Sequence, residues 1–331
     1  MPTVLGSLRS LVMTPALAEV TFEKRRFPAA DPVAARHLEA IPQAVICGFE
    51  WGIGARDQWE LERRLSFVEP ELRGFAYEGA TMAATIRDVM PGGGTRRTRE
   101  LLEGPGRPHI FLAYIGIGFA MARLPRVLWK RVLPDLSGVP YHPTMSWLAV
   151  DGYAFDRAYF DTRRYVDRQE TLPAYAWQGS ADYFPRAADQ GIGRALWFIC
   201  GAQVTAVAAA VRRFASPRHA DLWSGVGLAA TFAGGCGPGD YTALRREAGE
   251  FAPELVQGAV FAIKAREHAG HMPPRTVAAA EALTGLSVPA AVALADDTEV
   301  AGATDAAVPA YELWRRNVQA HFVAATDHSN A

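Results

Sequence analysis

The stretch that decides the fold is Asp221-Leu222-Trp223-Ser224-Gly225-Val226-Gly227-Leu228-Ala229-Ala230. Its order, a bulky residue, a polar residue, a glycine and then small or apolar residues, recurs along the chain. Aligned on the glycine, the copies are Tyr77-Glu78-Gly79, Tyr114-Ile115-Gly116, Val150-Asp151-Gly152, Asp189-Gln190-Gly191, Trp223-Ser224-Gly225 and Val256-Gln257-Gly258. Successive glycines lie 33 to 39 residues apart, so the sequence contains a repeat of six copies.

A proline precedes the glycine in every copy, at Pro70, Pro108, Pro143, Pro185, Pro217 and Pro253. Proline suits the first turn of a helix, where its missing N–H has no intrahelical partner to lose. Periods of this length are typical of helix-turn-helix repeats, whose units bury their apolar faces only by stacking on one another. The sequence therefore predicts an all-α fold of six helical hairpins, stacked as a TPR-like solenoid or closed into an α/α toroid.

The repeat glycines fall inside the predicted first helix of each hairpin, where glycine costs about 1 kcal/mol relative to alanine. Small residues follow several of these glycines, as in Ala83 with Ala84 and Ala229 with Ala230. Because glycine and alanine let two helices pack closely, we expect the main chains of neighbouring first helices to approach one another at these positions.

The repeat also divides the chain into three parts of one globular domain. Residues 1–65 lie outside it as a possible N-terminal cap, in which Cys47-Gly48 resembles a degenerate first copy. Residues 66–270 form the repeat region, and residues 271–331 form C-terminal helices and a tail. Terminal units of repeat proteins are usually atypical caps.

Composition excludes several classes of protein. Half of the 331 residues are apolar and 21% are charged, which is typical of a globular chain. A net charge of −1 gives no strong field for nucleic acid or an anionic membrane. The longest apolar run, from Ile110 to Ala122, is shorter than the roughly 20 residues of a transmembrane helix. Three cysteines without a C-x-x-C pair predict a reducing, cytoplasmic location.

Three motifs resemble active sites only in part. Gly225-x-Gly227-x-x-Ala230 matches the dinucleotide fingerprint, but a proline-started helix rather than a strand precedes it. Ser224 lacks the flanking glycine of a nucleophile elbow. His268 and His271 supply two ligands, fewer than a zinc site needs. The sequence therefore predicts no metal site and identifies no cofactor.

The residue before the repeat glycine carries the clearest functional signal. It is polar in five of the six copies, as Glu78, Asp151, Gln190, Ser224 and Gln257. If the copies superpose, these side chains line one face of the stack, where desolvated carboxylates would have raised pKa values suited to general acid–base work. Alternatively, they hydrogen-bond neighbouring helices and fix the register of the stack. The sequence leaves both interpretations open.

Two sets of candidate site residues follow from this alignment. Acid–base candidates are Glu78, Asp151 and Asp189, with Arg194 placed to neutralise or orient them. Candidates for binding a substrate, including the aromatic wall of an apolar pocket, are Tyr153, Gln190, Trp197, Trp223, Ser224 and Gln257.

Several phrases of the repeat region resemble an actinobacterial family, the DUF1702 family, associated with accessory proteins of enediyne polyketide gene clusters of the UnbL type. The matching phrases begin at Tyr77, Asp151, Asp189 and Leu222. At the third repeat the chain has Ala154-Phe155-Asp156 where the resemblance implies Gly-Phe-His, so a role for that histidine does not carry over. The resemblance implies a cytoplasmic partner of a polyketide synthase that helps to convert a linear polyene into the enediyne core.

Two hypotheses for the function are compatible with these observations. In the first, the protein is an enzyme or accessory protein of antibiotic biosynthesis that acts on or holds a hydrophobic polyene or another apolar small molecule. In the second, it is a non-catalytic helical-repeat scaffold that binds the synthase and other pathway proteins, a use to which repeat surfaces are suited.

Overall fold

The computed structural model describes residues 15–29, 31–90, 94, 96–300 and 308–329, and these contain helices and no strand. The predicted all-α class is confirmed. The α-helices are α1 Phe22–Arg25, α2 Pro32–Gly54, α3 Gln58–Ser66, α4 Pro70–Val89, α5 Arg97–Glu103, α6 Ile110–Arg123, α7 Leu148–Phe160, α8 Phe184–Ile199, α9 Val204–Arg212, α10 His219–Ala233, α11 Pro238–Ala248, α12 Ala252–His268, α13 Pro274–Ala279, α14 Val288–Asp297 and α15 Ala310–Ser329.

Contacts between residues divide the chain into two compact units. The first unit comprises residues 1–27 and 36–153, and the second comprises residues 28–35 and 154–331. The first unit contains α1, most of α2, all of α3 to α6 and the start of α7, and the second contains the start of α2, the rest of α7 and α8 to α15. The predicted division into residues 1–65, 66–270 and 271–331 stays a prediction.

Proline lies at the start of five of the six repeat helices as the sequence predicts, whereas Pro143 precedes the 3₁₀ turn Thr144–Trp147 that leads into α7. Pro70, Pro185 and Pro253 occupy the first or second position of α4, α8 and α12. Pro108 and Pro217 lie in short 3₁₀ turns that run directly into α6 and α10. These positions tolerate proline because the first N–H groups of a helix have no intrahelical acceptor.

In the first unit the repeat glycines lie against the main chain of the neighbouring helix. A Cβ atom on Gly116 of α6 would lie 2.1 Å from the carbonyl oxygen of Glu78 in α4. A Cβ on Gly152 of α7 would lie 2.3 Å from the carbonyl oxygen of Ile115 in α6. Both distances are far inside van der Waals contact, so only glycine permits this approach. The predicted close approach of the first helices is confirmed.

The same relation joins α2 to α4. A Cβ on Gly79 would lie 1.9 Å from the carbonyl oxygen of Val45, and a Cβ on Gly48 would lie 1.9 Å from that of Ala76. The contact is reciprocal, because each helix supplies one glycine and one carbonyl group. The segment around Gly48 therefore packs in the manner of a repeat copy.

The second unit repeats this arrangement twice. Between α8 and α10, a Cβ on Gly225 would lie 1.9 Å from the carbonyl oxygen of Gln190, and a Cβ on Gly193 would lie 2.0 Å from that of Leu222. Between α10 and α12, the corresponding pairs are Gly258 with Ser224 at 2.0 Å and Gly227 with Leu255 at 1.9 Å. The helix α10 thus packs between α8 and α12, and α15 packs on α12.

The second arms of the hairpins are less regular than the first. In the first unit, α5 is the second arm that follows α4. In the second unit, α9 follows α8 and α11 follows α10, and these two second arms pack against each other. Between α6 and α7 the chain forms two 3₁₀ turns, Arg126–Arg131 and Thr144–Trp147, and after α7 it forms a π turn, Arg163–Asp167. Pro125 and Pro134 flank the first of these turns, and proline cannot continue a helix interior. Solenoid and toroid stay predictions.

No single described helix combines the length and the apolar character needed to cross a membrane. The bent pair formed by Pro274–Thr284 and Val288–Asp297, with an angle of 68°, meets that test only when both helices are counted together.

Candidate functional site

The predicted site residues fall in both units. Glu78, Asp151 and Tyr153 belong to the first unit. The others belong to the second unit, and they are Asp189, Gln190, Arg194, Trp197, Trp223, Ser224 and Gln257. The predicted site residues therefore form two sets, one in each unit.

Glu78 and Asp151 are buried in the first unit, with 3% and 1% of their surface exposed. Each lies in a first helix beside the close helix contact that its neighbouring glycine makes. The ring of Tyr153 packs edge-on against Trp129, with 4.8 Å between ring centroids.

Asp189 is held by an arginine that the sequence pattern does not single out. The Arg218 guanidinium donates from Nη2 to Oδ1 at 2.6 Å and from Nε to Oδ2 at 3.0 Å. Both side chains are nearly buried. Burial raises the pKa of Asp189 above its usual range, and the bonds from Arg218 oppose that rise. Asp189 is thus a charge-paired carboxyl group.

The other charged and aromatic candidates of the second unit are also buried. The Arg194 guanidinium lies 4.8 Å from the ring centroid of Phe155, a cation–π distance. Trp197 is fully buried and donates its indole N–H to the carbonyl oxygen of Gly234 at 2.7 Å. Trp223 is 2% exposed. Both tryptophans therefore lie in the core of the second unit, and their role as walls of a substrate pocket stays a prediction.

Gln190, Ser224 and Gln257 are brought together with residues of α15 in one buried polar network. The Gln190 amide donates to Asp221 Oδ1 at 3.0 Å and to the Tyr183 hydroxyl at 3.2 Å. Ser224 Oγ donates to Gln257 Oε1 at 2.9 Å, and Arg315 Nε donates to the same oxygen at 3.0 Å. The network therefore joins α8, α10, α12 and α15.

Arg315 is at the centre of this network and has no exposed surface. Its Nη1 donates to Asp221 Oδ1 at 2.9 Å, to Glu312 Oε2 at 2.6 Å and to the Tyr183 hydroxyl at 3.1 Å. Arg186 binds the same two carboxylates, at 2.8 Å to Asp221 Oδ2 and 2.7 Å to Glu312 Oε1. We refer to the following residues as the Arg315 cluster: Tyr183, Arg186, Gln190, Asp221, Gln257, Glu312 and Arg315.

The electrostatics of the Arg315 cluster oppose proton transfer. Burial alone would raise the pKa of Glu312, but the charges of Arg315 and Arg186 outweigh it and lower that pKa to about 2. Burial raises the pKa of Tyr183 well above its ordinary value. A general acid or base works best with a pKa near the working pH. The hydrogen bonds of Gln190, Ser224 and Gln257 join helices, which is compatible with the register-fixing interpretation, and their role in binding a substrate stays a prediction.

The lowered pKa of Glu312 makes the free energy of unfolding depend on pH in the acidic range. A lowered native pKa means that Glu312 stabilises the fold fully above its unfolded pKa, and that this contribution disappears as the pH falls from about 4.5 towards 2. We expect Glu312→Gln to destabilise the protein by on the order of 3 kcal/mol at pH 6, and by progressively less below pH 4. Urea unfolding of both proteins across this range measures the difference. A difference that stays constant with pH would contradict the assignment.

Glu254 is a carboxyl group that the repeat alignment misses. It follows Pro253 in the first turn of α12, and burial raises its pKa, against the opposing charge of Arg315. Its Oε2 is buried without a hydrogen-bond partner, as is Nη2 of Arg315. The Pro-Glu step at the start of a repeat helix, present also at Pro70-Glu71, is the signal that could have identified it.

The first unit contains a cavity of about 420 Å³. Its apolar wall is part of the core of this unit and consists of Ala55, Leu61, Ala80, Ala84 and Leu101. Its polar lining comes from the end of α2 and from α3, α4 and α5, and consists of Arg56, Asp57, Gln58, Arg87, Arg96, Arg97 and Glu100. Neither Glu78 nor Asp151 lines it. We refer to it as the α2–α5 cavity, and the repeat pattern gave no sign of it.

The α2–α5 cavity is of a size that ligand sites use. Small-molecule pockets in proteins typically measure about 300 to 1,000 Å³, with apolar walls and a few placed polar groups. Among the described residues, no group of three or more histidine, cysteine, aspartate or glutamate side chains is arranged to hold a metal ion.

Comparison with known proteins adds one assignment. Residues 4–322 match the family model described as "Protein of unknown function (DUF1702)". No curated protein and no solved structure matches the chain. Since the match extends over nearly the whole sequence, the chain belongs to the DUF1702 family.

Proposed function

We propose that the protein is an accessory protein of enediyne-type polyketide biosynthesis that holds a linear polyene intermediate in the α2–α5 cavity. The observation that carries the proposal is the cavity itself, which combines a volume of about 420 Å³ with an apolar wall of alanine and leucine side chains. Burial of an apolar chain against such a wall is favourable by about 25 cal/mol per Å² of area removed from water.

The ion pairs of two buried carboxyl groups in the second unit support a binding role. Asp189 is paired with Arg218, and Glu312 is paired with Arg315 and Arg186. The pKa of Glu312 is lowered to about 2, which makes this carboxylate a poor proton carrier near neutral pH, whereas burial raises the pKa of Asp189 against the bonds from Arg218. The small side chains Ala80 and Ala84 leave space over the core of the first unit, where larger residues would close it.

The pathway is proposed from the resemblance of the repeat phrases, which begin at Tyr77, Asp151, Asp189 and Leu222. Membership of the DUF1702 family is compatible with that pathway, and the description of the family assigns no activity. On this proposal the protein acts in the cytoplasm beside a polyketide synthase, and its task is to keep a reactive, poorly soluble chain apart from water.

A scaffold for the synthase is the second candidate function. It is favoured by two aromatic side chains of the first unit, Trp59 and Phe67, which are 68% and 80% exposed. They lie on and directly after α3, and large exposed aromatic residues are enriched at protein interfaces.

The test is to purify the protein from cells that express the synthase and to extract its bound material for mass spectrometry. We expect a conjugated polyene with the native protein and at least tenfold less with Ala84→Leu, because the larger side chain fills the cavity. Ala209→Leu, at an exposed position of α9, is the matched control and keeps the polyene.

Absence of polyene from the native protein would contradict the proposal. If the synthase nevertheless co-purified, and did so without any dependence on the cavity, the scaffold function would be favoured. Circular dichroism of each variant shows whether a loss of polyene reflects a filled cavity or a lost fold.

A further inference from the structure

We propose that the α2–α5 cavity recognises its ligand by an anionic head, a carboxylate or phosphoryl oxyanion, attached to an apolar body. This deepens the proposed function by naming the chemical class of ligand for the same cavity. It rests on the proposed function only in taking the polyene as the natural ligand. The juxtaposition that carries it is four arginines and an apolar wall of alanine and leucine that line the same cavity.

The four arginines reach the cavity from three segments. Arg56 follows α2, Arg87 lies near the end of α4, and Arg96 and Arg97 begin α5. The lining also contains the carboxylates of Asp57 and Glu100, so four positive charges face two negative ones. Two further carboxylates, Glu60 and Asp88, do not line the cavity but pair with Arg56 and Arg97. A ligand anion therefore binds by replacing carboxylate partners of these guanidinium groups, which bind carboxylate and phosphate oxygens in pairs.

Two of these arginines are held in position by buried groups. Arg87 donates from Nη1 to the carbonyl oxygens of Gly52 and Ala55, at 2.8 and 3.2 Å. Arg97 donates to Asp88 Oδ1 at 3.3 Å, and Asp88 is a buried carboxylate. Groups fixed before binding lose less conformational entropy when a ligand arrives.

The other two arginines can exchange their present partners for a ligand. Arg56 pairs with Glu60 at 3.4 Å and Arg96 pairs with Glu100 at 2.9 Å, and the two arginine side chains are 54% and 83% exposed. Ion pairs with an exposed partner contribute little to stability because water screens them. A ligand oxyanion that bridges both guanidinium groups therefore displaces only weak interactions.

The apolar wall of the cavity favours a ligand that has an apolar body as well as a charge. Leu61, Ala80 and Leu101 are buried residues of the core cluster of this unit, and they also line the cavity. A bare anion would leave this wall in contact with water, whereas an apolar tail would cover it. The ligand class is thus an acid with an apolar body.

The experiment measures binding of decanoate, decanol and inorganic phosphate to the full-length protein by isothermal titration at low and high salt. We expect decanoate to bind at least tenfold more tightly than either decanol or phosphate, and to bind more weakly as salt screens the arginines. Decanol that binds as tightly as decanoate would overturn the anionic head, and phosphate that binds as tightly would overturn the apolar body.

The double variant Arg56→Gln with Arg96→Gln tests whether decanoate binds in the α2–α5 cavity. Both side chains are exposed, so we expect the fold to persist and decanoate to bind roughly tenfold more weakly. Arg99→Gln is the matched control, because Arg99 pairs with Glu103 on the same helix in the same way but does not line the cavity. Unchanged decanoate affinity in the double variant would overturn the proposal.

The two proposals can fail separately. If decanoate binds through Arg56 and Arg96 while no polyene is retained from cells, the anionic site stands and the pathway proposal fails. If the polyene is retained and the arginine variant keeps all of it, the polyene function stands and the headgroup assignment fails.

Discussion

Replacement of Gly225 by alanine is expected to destabilise the protein by about 3 kcal/mol or more, although alanine favours a helix by about 1 kcal/mol over glycine. The new Cβ would lie 1.9 Å from the carbonyl oxygen of Gln190 and 2.8 Å from the amide nitrogen of Arg194. These atoms belong to the main chain of α8, so no rotation of a side chain relieves the clash. The helices α8 and α10 must separate, which opens the core on both sides.

Urea or thermal unfolding of Gly225→Ala measures this loss. Gly239→Ala is the matched control, because Gly239 lies in α11 and an added Cβ meets no atom within 4 Å. There we expect stability to be unchanged, or to rise by up to about 1 kcal/mol through helix propensity. Equal effects at the two glycines would mean that the contact between α8 and α10 does not require glycine.

Replacement of Arg315 by methionine is expected to cost about 3 to 5 kcal/mol, the range found when one partner of a buried ion pair is removed. The substitution leaves Asp221 and Glu312 buried with one of their two shared arginines gone. It also removes the donor that joins Gln257 of α12 to α15. The Arg315 cluster holds four helices of the second unit, so the loss should appear as cooperative unfolding at a lower temperature.

Arg316→Met provides the control at the adjacent position. Arg316 also donates to Glu312, at 2.8 Å, but its side chain is 52% exposed. Exposed pairs contribute at most about 1 kcal/mol, so this variant should unfold close to the native temperature. A loss at Arg316 that matches the loss at Arg315 would indicate that burial of the cluster does not set its strength.

The first helix of each repeat could be predicted from local sequence rules, because each rule depends only on residues within that helix. Proline before Glu71 or Glu254 fixes a helix start, and a glycine inside an apolar helix indicates close packing. The structure places Gly116, Gly152 and Gly225 against main-chain carbonyl groups, as that reasoning requires. Even the degenerate copy at Gly48 packs in this way.

The partners of the polar residues could not be predicted in the same manner. Arg218 lies 29 residues from Asp189, and Arg315 lies 94 residues from Asp221, so no local period connects them. The sequence had indicated Arg194 as the neutralising group. Which arginine reaches a given carboxylate depends on how the helices pack, and the repeat aligns positions without specifying the partners outside it.

The α2–α5 cavity was missed for a related reason. Its wall combines Ala80 and Ala84 of the first repeat with Ala55 and Leu61 from the segment predicted as a cap. An alanine inside an apolar helix usually indicates close packing against a neighbouring helix. The sequence around Ala80 and Ala84 does not show that a cavity lies beside them instead. The pairing of exposed arginines around that space becomes visible only once α3, α4 and α5 are in place.

The central claim is that reciprocal glycine contacts set the spacing of the first helices, and a double-mutant cycle on Gly193 and Gly225 tests it most directly. Each of these residues faces a carbonyl group of the other's helix. Once one added methyl group has separated α8 from α10, the second should cost little, so the double variant should lose much less stability than the two single variants together. Strict additivity of the two losses would contradict the account.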